Sequence, residues 1–510
     1  MTLVQSFLED SACRTPNRVA LICAGRRHSY AEIDRWAGGL ASALQARGVR
    51  RGDRVAIFAD NGVEVVVSIF AVLKLGAIFI PVNSLTKGDK LAYMLNDAEA
   101  TALVTSELLQ ETWRTALASA PSVKVCFVGG LEETNRDGRL ASLEAALRGP
   151  AGDALNACTI DQDLASIIYT SGSTGEPKGV MLSHLNMVSA AKSVNAYLGM
   201  TGEDVIMCAL PLAFDYGLYQ VLMGFMVGAT VVLERSFAFP VKVLQLMASE
   251  GVTVFPGVPT MFALIASLGD PLPFDLRRLR MITNTAAALP EQRIRELRAR
   301  FPGATLFSMY GLTECKRVTY LPPDQLDIRA TSVGRGMPNE EVWLVDEGGN
   351  RLPNGSTGEL VIRGSNVMRG YWRKPEQTAR RLRAGPLPGE MVLYSGDVFR
   401  SDAEGYLYFV ARRDNIIKSR GEKVSPREVE DVLCAIEGVQ EAAVVGTPDP
   451  ILGQAIKAFV VVRPGHACDE KEIIRRCRMK LEDFMVPKHV EFVAALPTTD
   501  TGKVKVSALG

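Results

Sequence analysis

The chain carries no surplus of charge. Its 57 Lys and Arg balance 57 Asp and Glu over 510 residues, a formal net charge of zero. Nothing gathers the basic residues into a stripe, so no nucleic-acid partner is expected. Cysteine pairing is missing too: the nine cysteines are odd in number and scattered, without a CxxC pair. That usage argues against a disulfide frame or a zinc site and fits reduced thiols in the cytoplasm. The opening MTLVQSFLEDSACRTPNR has acidic residues and no basic region before an apolar core, so no signal peptide is expected. No apolar run continues long enough to span a bilayer. The nearest, Val65 to Val82, is interrupted by Lys74, Gly76 and Pro81, and reads as a buried helix followed by a buried strand, so no membrane partner is expected. Internal repeats and low-complexity tracts are absent as well.

What is present is a long soluble chain with a repeating texture. At 510 residues it exceeds one core and calls for two to four domains or subdomains. Helical stretches at Phe7 to Ala12 and Tyr30 to Ala46 alternate with strand-like runs at Arg54 to Phe58, Ala77 to Val82, Ala102 to Val104 and Lys124 to Val128. Strands separated by helices of this length imply parallel sheet with crossover connections. Leu131 to Ala157 is polar and reads as a surface excursion. The alternation resumes from Val205 (VIMCALPL, ATVVLE, VTVFPGVP, RMITNTAA, ATLFSMYG), so a second doubly wound sheet is expected. From about Val333 short strands and turn dipeptides take over, the mark of a small β-subdomain. After Asp414 a compact α+β pattern of about a hundred residues follows. The expected fold class is therefore α/β: an N-terminal domain over 1–411, of two doubly wound sheets plus a β-subdomain at about 333–411, and a small α+β domain over 412–510.

Within this frame, IYTSGSTGEPKGV (Ile168 to Val180) stands out. An apolar strand at Leu164 to Tyr169 leads into it and a helical pattern starts near Ser183. Gly172, Gly175 and Gly179 let backbone approach a ligand, while Thr170, Ser171, Ser173, Thr174 and the amides donate hydrogen bonds and Lys178 adds a positive charge. Such a loop suits a polyphosphate. It is not a Walker loop, because Pro177 stands where the second glycine of GxxxxGK[ST] belongs.

YTSGSTGEPKGV resembles the phosphate loop of the adenylate-forming enzymes: acyl-CoA synthetases, adenylation domains and luciferases. The resemblance implies activation of a carboxylic acid with ATP and Mg2+, and it runs through the chain in order. In SMYGLTEC (Ser308 to Cys315) it implies that Tyr310 stacks on adenine, with Gly311 beside it, that Thr313 bonds phosphate, and that Glu314 holds the metal. One glutamate with substrate phosphates and waters is a sensible magnesium site. In YSGDVFRSDAEGYLYF it implies that Asp397 binds the ribose, its two oxygens able to accept from both hydroxyls; Asp402 and Glu404 are expected to be solvated. In ARRDNIIKSRGEKVSPREVE it implies that Arg412 lies near ribose and phosphate and that Asp414 is the hinge of a mobile C-terminal domain. Ala411 and Asn415 depart from the family pattern there. Glu428 and Glu430 read as a solvated helix. At the C-terminus, LPTTDTGKVKVSALG places Lys503 as the mobile catalytic lysine, with Lys505 the alternative. The catalytic set so implied is Lys503, Thr174 and Glu314. LKLGAIFIPVN, TGELVIRG and MRGYW also match, and are read as structural.

The acid pocket implied by the resemblance is lined by Phe214, Asp215, Tyr219, Val258, Thr285, Ala286 and Gly311. Phe214 replaces a histidine that many acyl-CoA synthetases carry in PLFH. Asp215 has three open roles: partner of a substrate ammonium, acceptor of a proton from an attacking amine, or cap of the helix that follows. The acyl group is expected to pass to the thiol of CoA or of a phosphopantetheine on an external carrier protein, since no carrier domain is read in the chain. The alternatives are transfer to an amine, giving an amide, and a nucleotide-binding protein without turnover. His184 reads as a helix residue and not a catalyst.

Overall fold

The computed structural model describes residues 2–131, 138–150, 152, 158–170, 177–269, 272–285, 289, 291–412, 415, 417–419, 422–449, 453–481, 485–499 and 504–509. Two large sheets dominate. The nine-stranded one runs Arg335–Gly336, Thr319–Leu321, Thr305–Tyr310, Met281–Asn284, Val254–Gly257, Val205–Cys208, Thr230–Leu233, Val19–Cys23, Arg26–Ser29 in spatial order. The eight-stranded one runs Gly370–Tyr371, Lys178–Ser183, Leu164–Thr170, Ile78–Val82, Arg54–Phe58, Ala102–Ser106, Val125–Gly129, Leu140–Ser142. Central strands pair parallel, with antiparallel strands at the edges. The alternation of apolar runs with helices thus delivers the two expected α/β sheets.

One apolar core, from Val4 to Leu407, lies between them and includes one face of the helix Tyr30–Ala46 and nearly all sides of Val63–Lys74. The first of these helices starts where Ser29 accepts from the Glu32 amide and Glu32 accepts from the Ser29 amide, a complete capping box. The second is the helix expected in the Val65 to Val82 run, followed by the strand Ile78–Val82, and among the described residues no helix is long and apolar enough to cross a membrane. Lys74, which interrupts that run, is half-buried and lies 2.7 Å from Glu9 and 2.9 Å from Asp34. Burial alone would favour its neutral form; the two carboxylates outweigh that and hold its pKa above the ordinary lysine value.

A third, five-stranded sheet holds Glu340–Val345, Thr357–Gly364, Met391–Ser401, Leu382–Ala384 and Leu407–Arg412. Beyond it, five strands and the helices Pro426–Cys434 and Glu470–Arg478 form the smaller C-terminal α+β unit with its own core around Val429, Val444 and Ile473.

Two sequence expectations change. The glycine loop does not join a strand to a helix: Lys178–Ser183 is itself a strand, antiparallel to Leu164–Thr170 with Thr170 opposite Lys178. The helix starts after it, at His184, capped by Ser183. The short apolar run Val180 to Leu182 is long enough to pair but too short to show a period. The excursion after Leu131 also holds structure, the edge strand Leu140–Ser142 and the helix Leu143–Arg148.

His184 is a buried helix residue, as read. Its Nδ1 accepts from the Val4 amide at 3.2 Å, and burial pushes its pKa down to about 4 against the pull of Asp163 and Asp161. The unfolded chain binds this proton below about 6.5 and the folded one only below about 4. Stability held above pH 6.5 is therefore lost as pH falls toward 4, at up to about 1.4 kcal/mol per pH unit. His184→Gln, which cannot titrate, should show a shallower fall of unfolding stability between pH 6.5 and 4.5; equal slopes in thermal or urea unfolding would count against this.

Candidate active site

The site grows out of strand ends. Four neighbouring parallel strands of the nine-stranded sheet, Val205–Cys208, Val254–Gly257, Met281–Asn284 and Thr305–Tyr310, end on one edge. Immediately beyond those ends stand the acid-pocket candidates Phe214 and Asp215, Val258, Thr285, and Gly311. A crevice at the carboxyl edge of parallel strands is where open α/β sheets bind ligands. Ala286 lies outside the described residues. So do Ser171, Gly172, Ser173, Thr174 and Gly175 of the glycine loop, the hinge residue Asp414 and Lys503. Thr170 and Lys178 frame that loop as cross-strand partners. Lys505 is exposed, its amide bound to the Pro497 carbonyl at 2.8 Å.

Tyr310, Asp397 and Arg412 meet. The Tyr310 hydroxyl donates to Asp397 Oδ2 at 2.6 Å, and Arg412 Nε lies 3.3 Å from Asp397 Oδ1. The second contact is a consequence of register: Asp397 and Arg412 are directly opposed across the antiparallel pair Met391–Ser401 and Leu407–Arg412. Burial, and after it the Asp397 carboxylate, pushes the Tyr310 pKa well up, so the phenol stays a donor. The Tyr310 ring packs edge-on against Phe399, 4.8 Å between centroids.

Gly311 permits the turn that follows. A Cβ there would sit 2.0 Å from the Lys316 carbonyl oxygen, because the chain folds straight back, with the Val318 amide donating to the Tyr310 carbonyl at 2.9 Å. Thr313 and Glu314 are thereby held at the half-exposed tip of the turn. Glu314 is gripped twice: its carbonyl accepts from the Met368 amide at 2.7 Å, and its Oε1 accepts from the Tyr371 hydroxyl at 2.7 Å. Tyr371, in the MRGYW motif read as structural, is a site residue that the sequence did not reveal.

Positive charge gathers on the same side. Lys178 Nζ lies 5.7 Å from the centre of the Tyr371 ring. Its pKa is lowered by burial, then by Arg381, with Arg380 and Lys374 adding to this and Glu314 alone opposing. Several cations facing one carboxylate make a place for a polyanion.

On the acid side, Asp215 is the first residue of the helix Asp215–Val227 and makes no capping hydrogen bond; the capping role is not what its side chain does. Its Oδ2 instead lies 3.9 Å from the guanidinium of Arg317. Tyr219 is buried, Tyr216 donates to the Thr283 carbonyl at 2.7 Å, and Lys316 and Arg317 lie over these two rings. Neither cation was read as a site residue; the only signal was their place directly after the Thr-Glu-Cys of the motif. Three carboxylates read as solvated have partners: Asp402 and Glu404 bind Arg329 at 3.1 and 2.6 Å, and Glu430 accepts from the Val444 amide at 3.0 Å.

Residues 8–372 match the family model of the AMP-binding enzymes and residues 428–503 that of their C-terminal domain. The chain belongs to the adenylate-forming, AMP-binding enzymes. It is thus an AMP-forming acid ligase of the family that includes the acyl-CoA synthetases. The enzyme is 34% identical over 495 residues to a feruloyl-CoA synthase of an Amycolatopsis species, covering 96% of this chain and 95% of that one. The ATP-bound structure of MatB from Rhodopseudomonas palustris superposes with a TM-score of 0.89 at 31% identity, covering 100% of this chain and 98% of the other. The amide bond synthetase McbA of Marinactinospora thermotolerans does so with a TM-score of 0.89 at 29% identity, covering 99% of each.

The turn at Gly311 generates a prediction. Gly311→Ala forces the Lys316 carbonyl aside, an overpacking cost of about 1–3 kcal/mol, and displaces Glu314. The expected outcome is a lowered Tm together with ATP binding weakened about tenfold or more by titration calorimetry; unchanged binding would refute the tight-turn argument.

Proposed function

We propose that this enzyme converts a carboxylic acid and ATP into acyl-AMP and pyrophosphate, then passes the acyl group to the thiol of CoA or of a phosphopantetheine on a separate carrier protein. The observation that carries the reading is the convergence of Glu314, the cations around Lys178, and the Tyr310–Asp397–Arg412 group at the strand ends. In this reading Ser171 to Gly175, Thr170, Thr313 and Lys178 hold the phosphates, Tyr310 and Gly311 face adenine, and Asp397 and Arg412 take the ribose. The substrate carboxylate attacks the α-phosphorus, and the bond to the pyrophosphate oxygen breaks. Two anions must approach for this, so the work of the site is charge neutralisation and alignment. Lys503 supplies the cation at the bond being made. The C-terminal domain beyond Asp414 then turns about that residue, and the thiol attacks the acyl carbonyl, releasing AMP.

A magnesium ion fits the donor set. Among the described residues no cluster of three or more His, Cys, Asp or Glu forms an all-protein cage, and Glu314 has one oxygen engaged by Tyr371 and another to offer. That is the pattern of a cation shared between one carboxylate and nucleotide phosphates. Bound there, the ion would neutralise phosphate charge; Tyr371 would hold the carboxylate in place for it.

A second reading, amide formation, draws on Asp215 at the acid side and on the likeness to McbA. Mass analysis of products formed with CoA, a carrier protein and a panel of amines separates the two: an acyl thioester supports the first and an amide alone the second.

Two variants test the roles. Lys503→Ala should lower acid-dependent pyrophosphate exchange by about a hundredfold or more; undiminished exchange would remove Lys503 from the mechanism. Tyr371→Phe deletes a hydrogen bond to a charged group, typically about 1.5–3 kcal/mol. It should raise the Mg2+ concentration needed for half-maximal pyrophosphate release about tenfold with little change in Tm, and an unaltered Mg2+ dependence would show Glu314 to be held by other means.

A further inference from the structure

The residues that follow Glu314 place two cations inside the acid side of the site. Lys316 is fully buried, adopts a left-handed backbone (φ +70°), and sets its Nζ 4.4 Å from the centre of the Tyr219 ring. Among the described residues that Nζ has no hydrogen-bond partner. Arg317, equally buried, lies 4.5 Å over the Tyr216 ring, and its Nε is likewise without a partner there. Tyr216 and Tyr219 are three apart on one helix, so the two cations share a face with Asp215 at its start.

The charges do not balance. Among the described residues Asp215 is the one carboxylate that acts on both cations, and its contact to Arg317 is long, at 3.9 Å. Glu340, the other buried carboxyl in this neighbourhood, accepts from the Asn366 amide through Oε1 at 3.1 Å, its Oε2 has no hydrogen-bond partner among the described residues, and burial raises its pKa well above the ordinary carboxylate value, which favours the neutral acid. A buried ammonium and a buried guanidinium against one carboxylate leave an excess of positive charge out of water, an arrangement that costs stability unless an anion completes it. Glu314 does not complete it, since its carboxylate is turned to Tyr371. A free α-ammonium would meet the two cations beside Asp215, which disfavours that occupant.

We infer that the acid activated by this enzyme carries a second anionic group, a carboxylate away from the reacting one, and that Lys316 and Arg317 are the residues that select it. The inference rests on the acid-activating function proposed above and names its substrate class.

The test compares length-matched acids with and without the second carboxylate: hexanoate against adipate, octanoate against suberate, benzoate against terephthalate. Pyrophosphate release and thermal shift are read for the wild type, Lys316→Met and Lys316→Arg. At least one diacid should exceed its partner by tenfold or more in kcat/KM in the wild type. Lys316→Met should bring that ratio to near one or below, and Lys316→Arg should restore much of it. In the thermal shift the diacid should stabilise the wild type and not Lys316→Met, a readout that stands even for an acid that is bound but not turned over and even if the methionine variant is weakly active. Preference for the monoacid in every pair, equal losses for both acids in Lys316→Met, or a change in KM for ATP alone would overturn the inference. Monoacid-dependent pyrophosphate release would meanwhile uphold acid activation, so the two readings fail separately.

Discussion

One hydrogen bond joins the two halves of the large domain at the point where chemistry must happen. The Tyr371 phenol, on the edge strand Gly370–Tyr371 of the eight-stranded sheet, donates to Glu314, which hangs from the nine-stranded sheet. Further hydrogen bonds reinforce it: the Met368 amide donates to the Glu314 carbonyl, and the Asn186 side-chain amide donates to the carbonyls of Ser365 and Val367 at 2.8 Å each. A carboxylate at the tip of a turn has many rotamers, and this stitch leaves it few. The glycine hairpin of one sheet and the Gly311 turn of the other are thereby kept in fixed relation, as a ligand gripped from both sides requires.

Electrostatics divides the site into two districts. Around Lys178 the cations are half-exposed or exposed and outnumber the carboxylates, which suits a ligand that arrives strongly charged and partly hydrated. Around Lys316 they are buried against aromatic faces, where each charge is felt more strongly because water is absent. Asn366 links the districts. Its side-chain amide donates to the carbonyls of Cys315 and Arg317 at 2.6 and 3.1 Å and to Glu340, so the turn that bears Glu314 at its tip and the cations at its base moves as one piece.

Much of this was legible in the residues, and what was not has a physical cause. Alternating apolar runs and helices announced two sheets, and Arg54 to Phe58 and Tyr30 to Ala46 form the elements their patterns imply. Tyr310, Asp397 and Arg412 could be named in advance because each sits in a local motif; their meeting depends on a hairpin register that the turn between them sets. The strand Lys178–Ser183 was hidden because its run is too short for its period to be read. Tyr371 was hidden because its role depends on an edge pairing with Met181 and Val180, some hundred and ninety residues away in the chain. Lys316 and Arg317 look like any solvated basic pair until burial is known, and whether Asp215 bends back as a cap is a matter of side-chain direction that no spacing encodes.

The hairpin around the glycine loop has a bearing on engineering. Val180 and Leu182 are fully buried on one side of their strand, and Lys178 shares that side by the two-residue repeat of a β-strand. A graft that lengthened the strand by one residue between Lys178 and Val180 would rotate the lysine to the opposite face, away from Glu314. Loop exchanges among such ligases should therefore conserve the odd–even parity of this segment before they conserve its letters.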